Sequence, residues 1–127
     1  MIISTPVSLG ELVDKISILH IKSIKIKNNE KLTLVKEELS LLEQTLNDHI
    51  KTDDIKPFLK SLIKINSKLW VIEDDIRDCE RNKKFDEKFI DLARSVYFTN
   101  DKRSEIKLAI NKTFGSKIIE VKSYEKY

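Results

Sequence analysis

A single cysteine, Cys79, leaves no partner for an internal disulfide or a multi-cysteine metal site. The two histidines, His20 and His49, are far apart and form no HExxH pattern. Two glycines and two prolines in 127 residues are too few for a loop-rich or many-turned β architecture. No apolar run approaches the ~18 residues of a membrane span. Met1–Pro6 lacks the basic and apolar regions of a secretory signal. Charge of one sign is also scarce, since 24 Lys+Arg against 21 Asp+Glu leave +3. With acids and bases interleaved, neither nucleic acid nor a membrane is an expected partner. The expectation is one cytoplasmic domain over residues 1–127.

What is present is a chain rich in Lys, Ile and Asn. Lysine occurs 20 times and arginine four times, and all four arginines, Arg77, Arg81, Arg94 and Arg103, fall between positions 77 and 103. A planar, bidentate guanidinium is poorly replaced by an ammonium. That stretch is therefore where charge geometry matters most.

Apolar spacing predicts four helices in an all-α, antiparallel four-helix bundle with longer third and fourth helices. Ser8 and Glu11 have capping-box spacing for a first helix over about 9–27, with Leu9, Leu12, Ile16, Leu19, Ser23 and Ile26 as its seam. A second helix is expected over about 30–50. The third is capped by Thr52 or an aspartate, carries Pro57 in its first turn and ends near Arg81. The fourth runs from an Asp86 cap to a C′ Gly115. Segments 2–4 and 117–121 are β-prone and are expected to pair, within a chain or across a dimer. The third and fourth helices should overshoot the first two, carrying Phe85, Phe89 and Ile90 on a tip that a second copy would cover, so a homodimer is expected.

The fourth helix breaks its own pattern, because Thr99 and Arg103 occupy seam positions. An unpaired buried arginine costs several kcal/mol, so Arg103 needs acceptors. Counting along the helices places His20, Ser23, Glu38 and Asn66 near its level, as an internal ion-pair layer or an anion pocket. Trp70, the only tryptophan, stands beside Glu73, Asp74 and Arg77, whose default reading is a solvated face. A carboxylate metal site from Glu38, Glu73 and Asp74 does not match the paired motifs of the all-α nucleotide pyrophosphatases, so no metal and no cofactor is assigned. Cys79 lies on the seam as a small buried hydrophobe.

Three stretches, Asp14–Lys22 (DKISILHIK), Leu69–Glu80 (LWVIEDDIRDCE) and Leu92–Arg103 (LARSVYFTNDKR), together with 115–124, resemble a family of small uncharacterised helical proteins of bacteria and marine phages. The resemblance spans nearly the whole chain. It implies that Lys15, Lys22, Glu73, Asp74, Arg77, Arg94, Asn100, Asp101 and Arg103 belong to shared motifs, and it brings no activity. Those nine residues are the candidate ligand site. The leading expectation is a binding or accessory module for an anionic ligand or partner. Two alternatives stand beside it. One is a small enzyme acting on an anionic metabolite, with Arg94 and Arg103 as clamps and Glu73 as general acid or base. The other is a structural adaptor.

Overall fold

The computed structural model describes residues 1–127 and contains four helices and no strand. They are α1 (Leu9–Lys25), α2 (Asn29–His49), α3 (Thr52–Arg81) and α4 (Glu87–Phe114). At 1.5 Å per residue, the 17 and 21 residues of α1 and α2 span about 26 and 32 Å. The 30 and 28 residues of α3 and α4 span about 45 and 42 Å.

Three of the four starts are capped by a side chain. The Ser8 hydroxyl accepts from the Glu11 N–H at 3.2 Å, Asn28 Oδ1 from Lys31 at 3.0 Å, and Asp86 Oδ1 from Phe89 at 3.3 Å. Glu11 does not close the capping box expected of it, because its carboxylate reaches Lys107 instead. The expected cap of α3 is also different. Lys51 holds the N-cap position without a side-chain bond, and Thr52 donates across the turn to Asn47 at 3.4 Å. Pro57 lies inside α3, beyond the first turn assigned to it. There it withholds a hydrogen bond from the Asp53 carbonyl, a loss that the exposure of this turn softens. Gly115 ends α4 in the left-handed region at φ 68°, as a C-terminal glycine should.

The core joins Val13 and Ile16 of α1, Leu46 of α2, Ile55 and Leu62 of α3, and Ile110 of α4. Phe58 and Phe114 meet edge-to-face beside it at 5.8 Å. The starts of α1 and α3 thus meet the ends of α2 and α4 at one pole. α1 is the hub, packed against each of the other three helices. This explains why its buried positions wrap around more than one face, whereas Leu46 is the one fully buried residue of α2.

Segments 2–4 and 117–121 do not pair with one another within the chain. Ile2 and Ile3 are exposed, and the C-terminal segment is fastened by side chains instead. Ser116 Oγ accepts from the Leu9 N–H at 3.2 Å and donates to the Ile118 carbonyl at 2.8 Å. Glu120 meets Lys107 at 2.9 Å.

Candidate functional site

Where α1 packs between α3 and α4, its contact stripe is small and polar: Gly10, Asp14 and Ser17, spaced by four and three residues, are all buried, the first two against α4 and Ser17 against Asn66 of α3. Gly10 is required by proximity. A Cβ there would lie 2.5 Å from the Lys107 carbonyl oxygen, and the Gly10 N–H donates to Asn111 Oδ1 at 2.7 Å. This close approach brings the next turn of α1, with Asp14, under the guanidinium of Arg103.

Asp14 holds Arg103 in a fork. Nε donates to Oδ1 at 2.9 Å and Nη2 to Oδ2 at 2.5 Å. The carboxylate also accepts from Asn66 Nδ2 of α3 at 2.9 Å, and the same amide donates to Ser17 Oγ at 2.7 Å. Burial alone would raise the Asp14 carboxyl, but the hydrogen bonds from Arg103 and Asn66 outweigh it and hold the group below its ordinary value. Bonding to Asp14 likewise raises Arg103, against its own desolvation. The Asp14 side chain is 1% exposed and that of Arg103 27%. The pair therefore has a sealed end and an open end.

The open end faces a cleft of about 440 Å³ between α1, α3 and α4. Ile18, Ile21, Leu69 and Trp70 give it an apolar wall, and Asn66, Glu73, Asp74, Arg77, Asn100 and Arg103 give it polar groups. Five of the nine predicted site residues, Glu73, Asp74, Arg77, Asn100 and Arg103, thus come together. Asn100 Oδ1 accepts from Arg103 Nη1 at 3.4 Å, which leaves its amide N–H groups free for the cleft. Arg77 is engaged by Glu73 one turn earlier on α3.

The other four lie elsewhere. Lys15 pairs with Glu38 of α2 at 2.9 Å, and Lys22 is half-buried on α1 outside the cleft lining. Arg94 sits over the Phe98 ring at 6.0 Å, so it does not form a second clamp beside Arg103. Asp101 accepts from the Tyr127 hydroxyl, which pushes that phenol up to about 12. It lines a separate cavity of about 700 Å³ between α4 and Lys122–Tyr127.

The polar layer needs a correction of membership. Asn66 and Thr99 are buried and Arg103 is half-buried beside them, but His20 pairs with Glu43 at 2.9 Å on the α2 side, Glu38 is taken by Lys15, and Ser23 bonds the His20 carbonyl. Because Glu38 lies on α2, paired with Lys15 of α1 and outside the cleft lining, it does not join Glu73 and Asp74, and no group of three His, Cys, Asp or Glu is arranged to hold a metal. The carboxylate that Arg103 needed is Asp14, which was not among the nine. Its signal was the alignment of Gly10, Asp14 and Ser17 on one face of α1.

Residues 3–127 match the model of a family described as a family of unknown function (DUF6165). No curated protein and no solved structure matches the chain. No helix is long and apolar enough to cross a membrane.

Proposed function

The chain belongs to this family, whose function is unknown, and from the geometry we propose that it is a binding module whose cleft between α1, α3 and α4 takes a small ligand bearing an anionic group. One observation carries the reading. Arg103 is fixed from behind by a buried carboxylate, yet its remaining edge opens on a cleft with an apolar wall. A guanidinium held in place loses little freedom when a ligand arrives, which favours binding. Arg103 Nη1 and the Asn100 amide supply donors for a carboxylate or phosphate oxygen, and Ile18, Ile21, Leu69 and Trp70 cover the ligand's apolar part.

Trp70 is the only tryptophan, so its emission reports on this cleft alone. Titration with a panel of small carboxylates, phosphates and zwitterions should give a saturable change in Trp70 emission with at least one of them. The same compound should raise the melting temperature with its concentration, as binding to the folded state requires. Asn100→Ala should weaken both responses. If no member of the panel gives a saturable response, the chain is a structural bundle whose Asp14–Arg103 pair serves only to align helices.

A further inference from the structure

On the premise that the cleft is a binding site, we propose that its ligand is a zwitterion, an organic ammonium and a carboxylate joined by a short apolar linker. The argument starts from the charges that face one another. Arg103 is engaged by Asp14 and Arg77 by Glu73, whereas Asp74 lines the cleft with no cationic partner. The lining itself holds two carboxylates, Glu73 and Asp74, and two guanidinium groups, Arg77 and Arg103, and Asp14 behind Arg103 adds a third carboxylate, so an anion that brings no cation meets no net positive charge and leaves Asp74 unpaired. A ligand that also brings a cation gives Asp74 its partner.

The placement of Asp74 suits an ammonium. Trp70 and Asp74 are one turn apart on α3, so an aromatic face and a carboxylate stand side by side. An ammonium between them gains from both the ring and the charge. A second, independent feature points to an N–H donor. Asn66 is 5% exposed, and its hydrogen bonds to Asp14 and Ser17 both run through Nδ2. Its Oδ1, on the opposite side of the amide, receives no protein donor, while the residue lines the cleft. No buried side-chain polar atom lacks a partner, so this oxygen is open to the cleft, where a ligand N–H can take the place of water. The donors for the carboxylate, Arg103 Nη1 and the Asn100 amide, lie on α4. The acceptors for the ammonium, Asp74 and Asn66 Oδ1, lie on α3. The two ends of the ligand are thereby assigned to opposite walls, with Ile18, Ile21 and Leu69 for the linker.

Three probes of matched chain length test this: ε-aminohexanoate, hexanoate and hexylammonium, each titrated against Trp70 emission. The zwitterion should bind about tenfold or more tightly than either single-charge probe, the size of effect that one added ionic contact supplies. Asp74→Asn lies on an exposed position and should fold normally by circular dichroism. It should weaken the zwitterion and leave hexanoate as tight or tighter, because an unpaired carboxylate is removed, so that most of the advantage over hexanoate is lost. Hexanoate binding as tightly as the zwitterion would overturn the ammonium site and leave the anion-binding cleft standing. Hexylammonium binding as tightly as the zwitterion would overturn the carboxylate end. A Trp70 signal unmoved by all three probes at millimolar concentration would overturn the zwitterion, and the binding reading falls separately only if the wider panel is also silent.

Discussion

Asp14 and Arg103 lie 89 positions apart and meet through two hydrogen bonds, with the carboxylate sealed in the interior and the guanidinium reaching the surface. The two partners are therefore unequal when one is removed. Arg103→Met leaves a carboxylate that water cannot reach, whereas Asp14→Asn leaves a guanidinium that can turn toward solvent. The first change should cost about 3–5 kcal/mol of unfolding free energy, the usual loss when one side of a buried pair is deleted. The second should cost clearly less. Denaturant unfolding of both variants checks the order, and equal losses would show that the exposed edge of Arg103 gives no relief.

Stability should depend on pH at both extremes for different reasons. The folded-state pKa of Asp14 is depressed below 3.8, so its contribution is full above that value and is lost as pH falls through the folded pKa. Lys107, between Glu11 and Glu120, would be lowered by burial, but those hydrogen bonds outweigh it and raise it above 10.5. Its contribution is present below that value and is lost as pH rises through the folded pKa. Melting temperature against pH should show an acid limb that Asp14→Asn flattens and an alkaline limb that Lys107→Met flattens.

Gly10→Ala should destabilise the bundle by about 1–3 kcal/mol, the range for overpacking a tight contact. The added methyl meets the backbone oxygen of Lys107 at 2.5 Å, and a carbonyl inside a helix cannot swing aside as a side-chain tip would. Calorimetry that finds the variant as stable as the parent would mean that α1 and α4 separate freely at this crossing.

Lys83 follows α3 in the left-handed region, at φ 53°, where a residue with a Cβ is strained. The Lys84 N–H closes the end of the helix onto the Cys79 carbonyl at 2.9 Å, so the conformation is fixed by hydrogen bonding. Lys83→Gly should stabilise the protein by about 0.5–1 kcal/mol. The surface ion pair with Glu80 that it removes contributes little. A drop in melting temperature would refute this account of the turn.

At the tip of the α3–α4 hairpin, Phe85 is 52% and Ile90 47% exposed, and Phe85 stacks edge-to-face on Phe89 at 5.2 Å. We propose that a second copy of the chain covers this surface. Light scattering should report a dimer at tens of micromolar, and Phe85→Lys should return it to a monomer. A parent protein that scatters only as a 14.9 kDa species would reject the proposal.

Much of this architecture was legible along the chain because helices are local. Ser8, Asp86 and Gly115 each act within a turn of their own position, and the apolar spacing that carries Ile16, Leu62 and Ile110 marks buried faces without reference to a partner. The need of Arg103 for acceptors was equally local, since a guanidinium in an apolar seam announces itself. So was the grouping of Trp70, Glu73, Asp74 and Arg77, which share adjoining turns of one helix. The identity of the acceptor was decided by tertiary structure. Counting residues from the helix ends favoured Glu38 and His20, but that count treats the four helices as equivalent. α1 is instead the hub, and the missing Cβ of Gly10 lets α4 come close enough for Asp14, one turn on, to lie beneath Arg103. The tail was misjudged for a related reason. β-propensity describes a segment that has a strand beside it, and here the groups nearest to Ser116 and Glu120 were a helix start and a buried lysine. Periodicity and capping are written in the sequence at the scale of one or two turns, whereas interhelical distance and rotation emerge only when all four apolar faces are buried at once.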